Sequence, residues 1–149
     1  MAIDVDQIKK LREETSASIA DCRQALEESN GDYKKAIEFL KKRGIERAEK
    51  KADRETKQGL VESYVHNGKV GVLLTLLCET DFVARTDEFK NLAHEIALQI
   101  SAMDPKDIKT LLSQEYIRDP KVTIEELVKS AIGKLGENIV VREFKRVEL

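Results

Sequence analysis

A chain of 149 residues, 41% hydrophobic and 36% charged, is long enough to bury a core of its own. Its 26 basic and 28 acidic side chains nearly cancel to a formal net charge of −2, which argues against the basic footprint of a direct nucleic-acid binder. The longest apolar run is too short for a bilayer, and "MAIDVDQIKK" has neither an apolar signal core nor an Arg/Ser-rich transit pattern. A cytoplasmic protein with no membrane anchor is expected.

Along the chain, Asp4 can cap a first helix that places Val5, Ile8 and Leu11 on one side, with Gln7 as its capping-box partner. That helix fades at "ETSAS". Ser18 with Asp21 opens a second helix, in which Ile19, Cys22 and Leu26 share a face, and "SNGD" breaks it. A third starts near Asp32, buries Tyr33, Ala36, Ile37 and Leu40, and is expected to cap at Gly44. Three narrow apolar stripes can only hide against one another, so residues 1–45 read as a three-helix bundle. Residues 46–58 read as a charged helical connector. Within "KKRGIERAEKKADRETK" the two signs alternate, as on a solvated helix face.

From residue 59 the period changes. "GLVESYVH" alternates loosely, "NG" at Asn67-Gly68 signals a hairpin, and "KVGVLLTLLCE" returns as a strand apolar on both faces, hence central in its sheet. A helix capped by Thr86 or Asp87 follows, carrying Phe89, Leu92, Ala93, Ile96 and Ile100 and ending at Asp104-Pro105. Thr123 with Glu126 forms a capping box for another, which stops near Gly136. The β-rich end "NIVVREFKRVEL" supplies a third strand beside the hairpin. The fold class is therefore α+β: a helical module, a connector, and, over residues 59–149, a small antiparallel three-stranded sheet packed with helices.

Catalytic chemistry finds little foothold. There is no GxGxxG, Walker-type or GxSxG motif, and His94-Glu95 lacks the second histidine of a zinc helix because Leu98 stands there. Cys22 and Cys78 form no CxxC and read as reduced core thiols. No cofactor, metal or enzymatic activity is expected; the chain acts by contact. The segment "TDFVAR", Thr80 to Arg85, suits that role. It lies between a strand and a helix, where an exposed Phe82 beside Asp81 has the composition of an interface hot spot. The competing reading folds Phe82 back as a lid on the sheet edge.

"TDFVAR", "LREETSASIADCRQAL" with "NGDYKKAIEFLKKRG", the hairpin "GLVESYVHNGKVGVLLTLLCE" and "IGKLGENIVVREF" together resemble, in order and over most of the chain, the bacterial elongation factor Ts family. The resemblance implies a UBA-like N-terminal module and guanine nucleotide exchange on elongation factor Tu during translation. It also implies that Asp81 and Phe82 meet that partner's nucleotide-binding domain, the ring wedging near the magnesium and phosphate site. Thr80, Val83 and Ala84 complete the matching segment, and by position Arg12, Ile19 and Ala20 match the N-terminal module's contacts. Three departures stand out: "TSAS" where the family usually has "TGAG", Ile19-Ala20 where it often has Met-Met, and a shortened stretch between "ISAMDPK" and "QEYIRDP". A single half-core implies a homodimer. The alternatives are an adaptor for ubiquitin-like proteins, for which "TSAS" offers no aromatic anchor, and, more remotely, an enzyme built on Asp81 and His94.

Overall fold

The computed structural model describes residues 2–149. Three helices open the chain: α1 (Val5–Thr15), α2 (Ile19–Glu28) and α3 (Tyr33–Glu49). Their starts follow side-chain capping, which satisfies otherwise orphaned N–H groups. Ser18 accepts from the Asp21 N–H at 3.0 Å and Asp32 from the Lys35 N–H at 3.2 Å. Asp4 accepts from the Asp6 N–H rather than joining Gln7 in a capping box. Leu11, Cys22, Ala25, Leu26, Ala36 and Leu40 form the bundle's buried cluster. Val5 and Ile19, expected on the buried stripes, are 62% and 57% exposed. Each is the first residue of its helix, where the Cα–Cβ bond tilts toward the N-terminus and carries the side chain past the packed body.

Gly44 does not cap the third helix. It lies inside α3 against Gly133 of α7 (Ile124–Leu135), so close that a β-carbon on Gly133 would sit 2.8 Å from the Gly44 Cα. A glycine costs helix stability in isolation, but at Gly133 it lets two helix backbones meet, whereas a β-carbon on Gly44 would find open space. The expected connector is accordingly divided. Residues 46–49 finish α3, with Ala48 buried in the second core cluster, and turns lead from there toward β1 (Gln58–His66).

The sheet is antiparallel in the order β1-β2-β5, with β2 (Val70–Cys78) at its centre and β5 (Val140–Glu148) on the far side. Asn67 and Gly68 take positive φ of 52° and 66°, as a primed turn demands, and the Lys69 N–H donates to the His66 carbonyl. Alternation then sorts the sheet's faces. Val72, Leu74, Leu76 and Cys78 point inward under α5 (Asp87–Met103), joined by Phe89, Ile96 and Ile100, whereas Leu73 on the outer face is 54% exposed.

The shortened stretch is occupied by α6 (Ile108–Ser113), and a small hairpin of β3 (Glu115–Tyr116) with β4 (Asp119–Thr123) follows it. Buried Gln99 of α5 holds this hairpin. Its amide donates to the Glu115 carbonyl at 3.0 Å and its Oε1 accepts from the Ile117 N–H at 3.0 Å. Among the described residues no helix is long and apolar enough to cross a membrane.

Candidate functional site

The segment after β2 is a single helical turn, α4 (Asp81–Ala84), rather than an irregular loop. Thr80 caps it, accepting from the Val83 N–H at 3.3 Å, and Thr86 caps α5 immediately afterwards, accepting from the Phe89 N–H at 3.3 Å. One turn suffices to separate neighbours. Val83 and Ala84 are buried in the core at 6% and 8% exposure, while Phe82 projects outward at 73%. The lid arrangement is thereby excluded in this structure. Of the four phenylalanines, Phe89 is fully buried and Phe39 and Phe144 are partly covered; only Phe82 stands open to solvent.

Charge around the ring is local. The Asp81 carboxylate accepts from the Arg85 guanidinium at 3.2 Å, an exposed pair that contributes little to stability but shapes the surface flanking Phe82. His94 packs edge-on against Tyr64, so Asp81 and His94, considered together as an enzymatic pair, each have a different neighbour. Cys78 donates to the Thr80 carbonyl at 3.1 Å; burial, with Glu137 nearby, pushes its thiol up to about 11, which suits a core residue and not a nucleophile.

Behind the turn lies a polar network that sequence reasoning missed. Glu137, on the connection from α7 to β5, accepts through Oε1 from the N–H groups of Glu79 (3.1 Å) and Thr80 (2.9 Å), and through Oε2 from the Thr80 hydroxyl (2.7 Å). Glu79 in return accepts from the Asn138 N–H at 2.6 Å, and the Asn138 amide donates to the carbonyls of Ala52 and Arg54. The one signal in the sequence was the pair Glu137-Asn138 directly after a helix-ending Gly136 and before an apolar strand.

The N-terminal candidates lie apart from this turn in sequence and are all exposed: Arg12 in the last turn of α1, Ile19 and Ala20 in the first turn of α2. Arg12 borders a cavity of about 470 Å³ between the Thr15–Ser18 connection, α3 and α7. Among the described residues, no group of three or more His, Cys, Asp or Glu could hold a metal ion.

A family model described as "Elongation factor TS" matches residues 79–149, starting at this turn. Curated relatives match the whole chain. Elongation factor Ts from Fervidobacterium nodosum is 42% identical over 195 residues, covering 100% of this chain and 99% of the relative. The chain belongs to the elongation factor Ts family. Elongation factor Ts from Thermotoga maritima is likewise 42% identical, over 193 residues, with 100% of this chain and 97% of the relative covered. That from Coprothermobacter proteolyticus is 42% identical over 192 residues, covering 98% of each. These alignments are longer than the 149-residue chain, so the elongation factor Ts relatives carry residues absent from it.

Proposed function

We propose that this chain is the guanine nucleotide exchange factor that binds elongation factor Tu·GDP and promotes GDP release during translation elongation. The observation that carries the reading is Phe82, an open aromatic on a helical turn whose next two residues are locked in the core. A GTPase holds GDP largely through Mg²⁺ and a backbone cradle around the phosphates, so a small displacement of those groups removes well-aligned, charge-assisted bonds. Phe82 supplies the wedge into the nucleotide-binding domain. Thr80 and Asp81 border it where the partner can reach them, Val83 and Ala84 brace it from inside, and Arg12, Ile19 and Ala20 form a second contact. Binding to the nucleotide-free partner is tighter than to the GDP-bound one, and linkage makes GDP weaken the factor's binding by the same ratio. No proton transfer or covalent step is involved, and no cofactor is required.

A homodimer completes this reading. The outer face of the sheet carries Val61, Val65, Leu73 and Val147, each more than half exposed, and the strand register places them on adjacent rows. These exposed apolar side chains share the face with Ser63, Glu143 and Lys145, a mixed surface of the kind that meets a partner. A second copy presents the same face, and two such sheets stack at ordinary sandwich spacing.

The deciding experiment is release of a fluorescent GDP analogue from purified elongation factor Tu. Acceleration by the intact chain is expected, together with a loss on the order of thirtyfold for Phe82→Ala, the range for truncating a central aromatic anchor. No acceleration by a folded intact chain would end the exchange reading.

A further inference from the structure

A four-residue helix is too short to hold its own position, because one turn fixes several dihedrals for very few bonds. Something outside α4 must determine where Phe82 points. Val83 and Ala84 anchor the turn's inner side and the Cys78 thiol donates to the Thr80 carbonyl, which leaves the N–H groups of Glu79 and Thr80 and the Thr80 hydroxyl to be held from elsewhere. Those two residues are where Glu137 acts. Its carboxylate uses both oxygens on them, taking two backbone N–H groups and the hydroxyl of the capping threonine, across a separation of 57 or 58 residues in sequence. Bonds to an ionised carboxylate are the stronger kind. The grip is also returned, since Glu79 accepts from the Asn138 N–H and lies 3.6 Å from the Arg54 guanidinium.

We infer that Glu137 is a positioning residue for exchange: it clasps Glu79 and Thr80 so that α4 presents Phe82 at one fixed angle and resists the reaction force when the ring enters the partner. The inference rests on the exchange reading above. Glu137 itself is half-buried behind the turn and acts through Phe82.

The test compares GDP-analogue release from elongation factor Tu by the full chain, Glu137→Ala, Glu137→Gln, Phe82→Ala and the double variant Glu137→Ala/Phe82→Ala. Circular dichroism and thermal melts check that each is folded. Glu137→Ala is expected to lower the release rate at saturating factor by about tenfold, with little change in the concentration giving half the maximal rate, because a misdirected wedge still binds. Glu137→Gln keeps a carbonyl acceptor for the two N–H groups and should lose only about threefold. In the Phe82→Ala background, Glu137→Ala should add nothing. A further drop of the same size there would mean that the residue only supports the fold, and wild-type release by Glu137→Ala would overturn the proposal directly. Amide hydrogen exchange at Glu79 and Thr80 in the free chain supplies an independent reading. Faster exchange in Glu137→Ala is expected, and unchanged protection would remove the clasp. Should the wild-type chain fail to accelerate release, the exchange reading falls, while the amide measurement still decides whether Glu137 holds the turn.

Discussion

Asp21 shows how one side chain can serve a cap and a tertiary bond together. It exchanges bonds with Ser18 at the start of α2 and accepts from both terminal nitrogens of Arg47 on α3, each at 3.0 Å. The Arg47 bonds hold its carboxyl below the ordinary carboxylate range, against the opposing effect of burial. A depressed folded-state value means that the stabilisation is fully present above the unfolded value of about 3.9 and disappears as pH falls through the folded one. Asp21→Asn is therefore expected to cost about 1 kcal/mol near neutral pH, since Arg47 is partly solvated, and to flatten the decline of melting temperature between about pH 5 and pH 3. A melting profile as steep as the wild type's would contradict this. The Ser18–Asp21 cap was legible in the sequence because its members are three residues apart; the Arg47 bond was not, because its partner is 26 residues away.

Among the elements, α3 and α7 make the decisive contact. Gly133 packs on the backbone of Gly44 at the crossing, and any β-carbon on Gly133 would meet that backbone at 2.8 Å and 2.9 Å. Backbone cannot step aside as a flexible side chain can. Gly133→Ala should destabilise the protein by about 1–3 kcal/mol, the usual range for overpacking, even though alanine is the better helix former; urea unfolding would measure it. The same crossing explains why a helix ending at Gly44 was a reasonable expectation from the sequence and an incorrect one. Glycine near a helix end reads as a cap when only local geometry is weighed. Its role here depends on another helix far along the chain.

For the molecule as a whole, the uncovered sheet face matters most. β2 reads as apolar on both sides, and the inner side is indeed covered by α5, but the outer side has no covering element among the described residues. If a second copy covers it, sedimentation at micromolar concentration should report a dimer, and Leu73→Lys, placing a charge on the central strand, should shift it to monomer while keeping the fold. A wild-type monomer under those conditions would rule out the homodimer. Measuring exchange with the Leu73→Lys protein would then separate what one turn bearing Phe82 achieves from what two achieve.

By itself the sequence determined features governed by neighbours: the helix starts at Ser18, Asp32 and Thr123, the Asn67-Gly68 turn, the helix stop at Gly136 and the central place of β2, whereas the choice of Thr86 over Asp87 as a cap and of an open Phe82 over a folded-back one came from the structure. The former arise from bonds within about four residues or from the two-residue alternation of a strand. Tertiary structure alone decided that α3 runs past Gly44, that residues 108–123 form a helical turn and a hairpin held by Gln99, and that Glu137 grips the entry to α4. Those outcomes depend on groups brought together only when the chain closes on itself, and no local pattern encodes which distant partner a glycine or a carboxylate will meet.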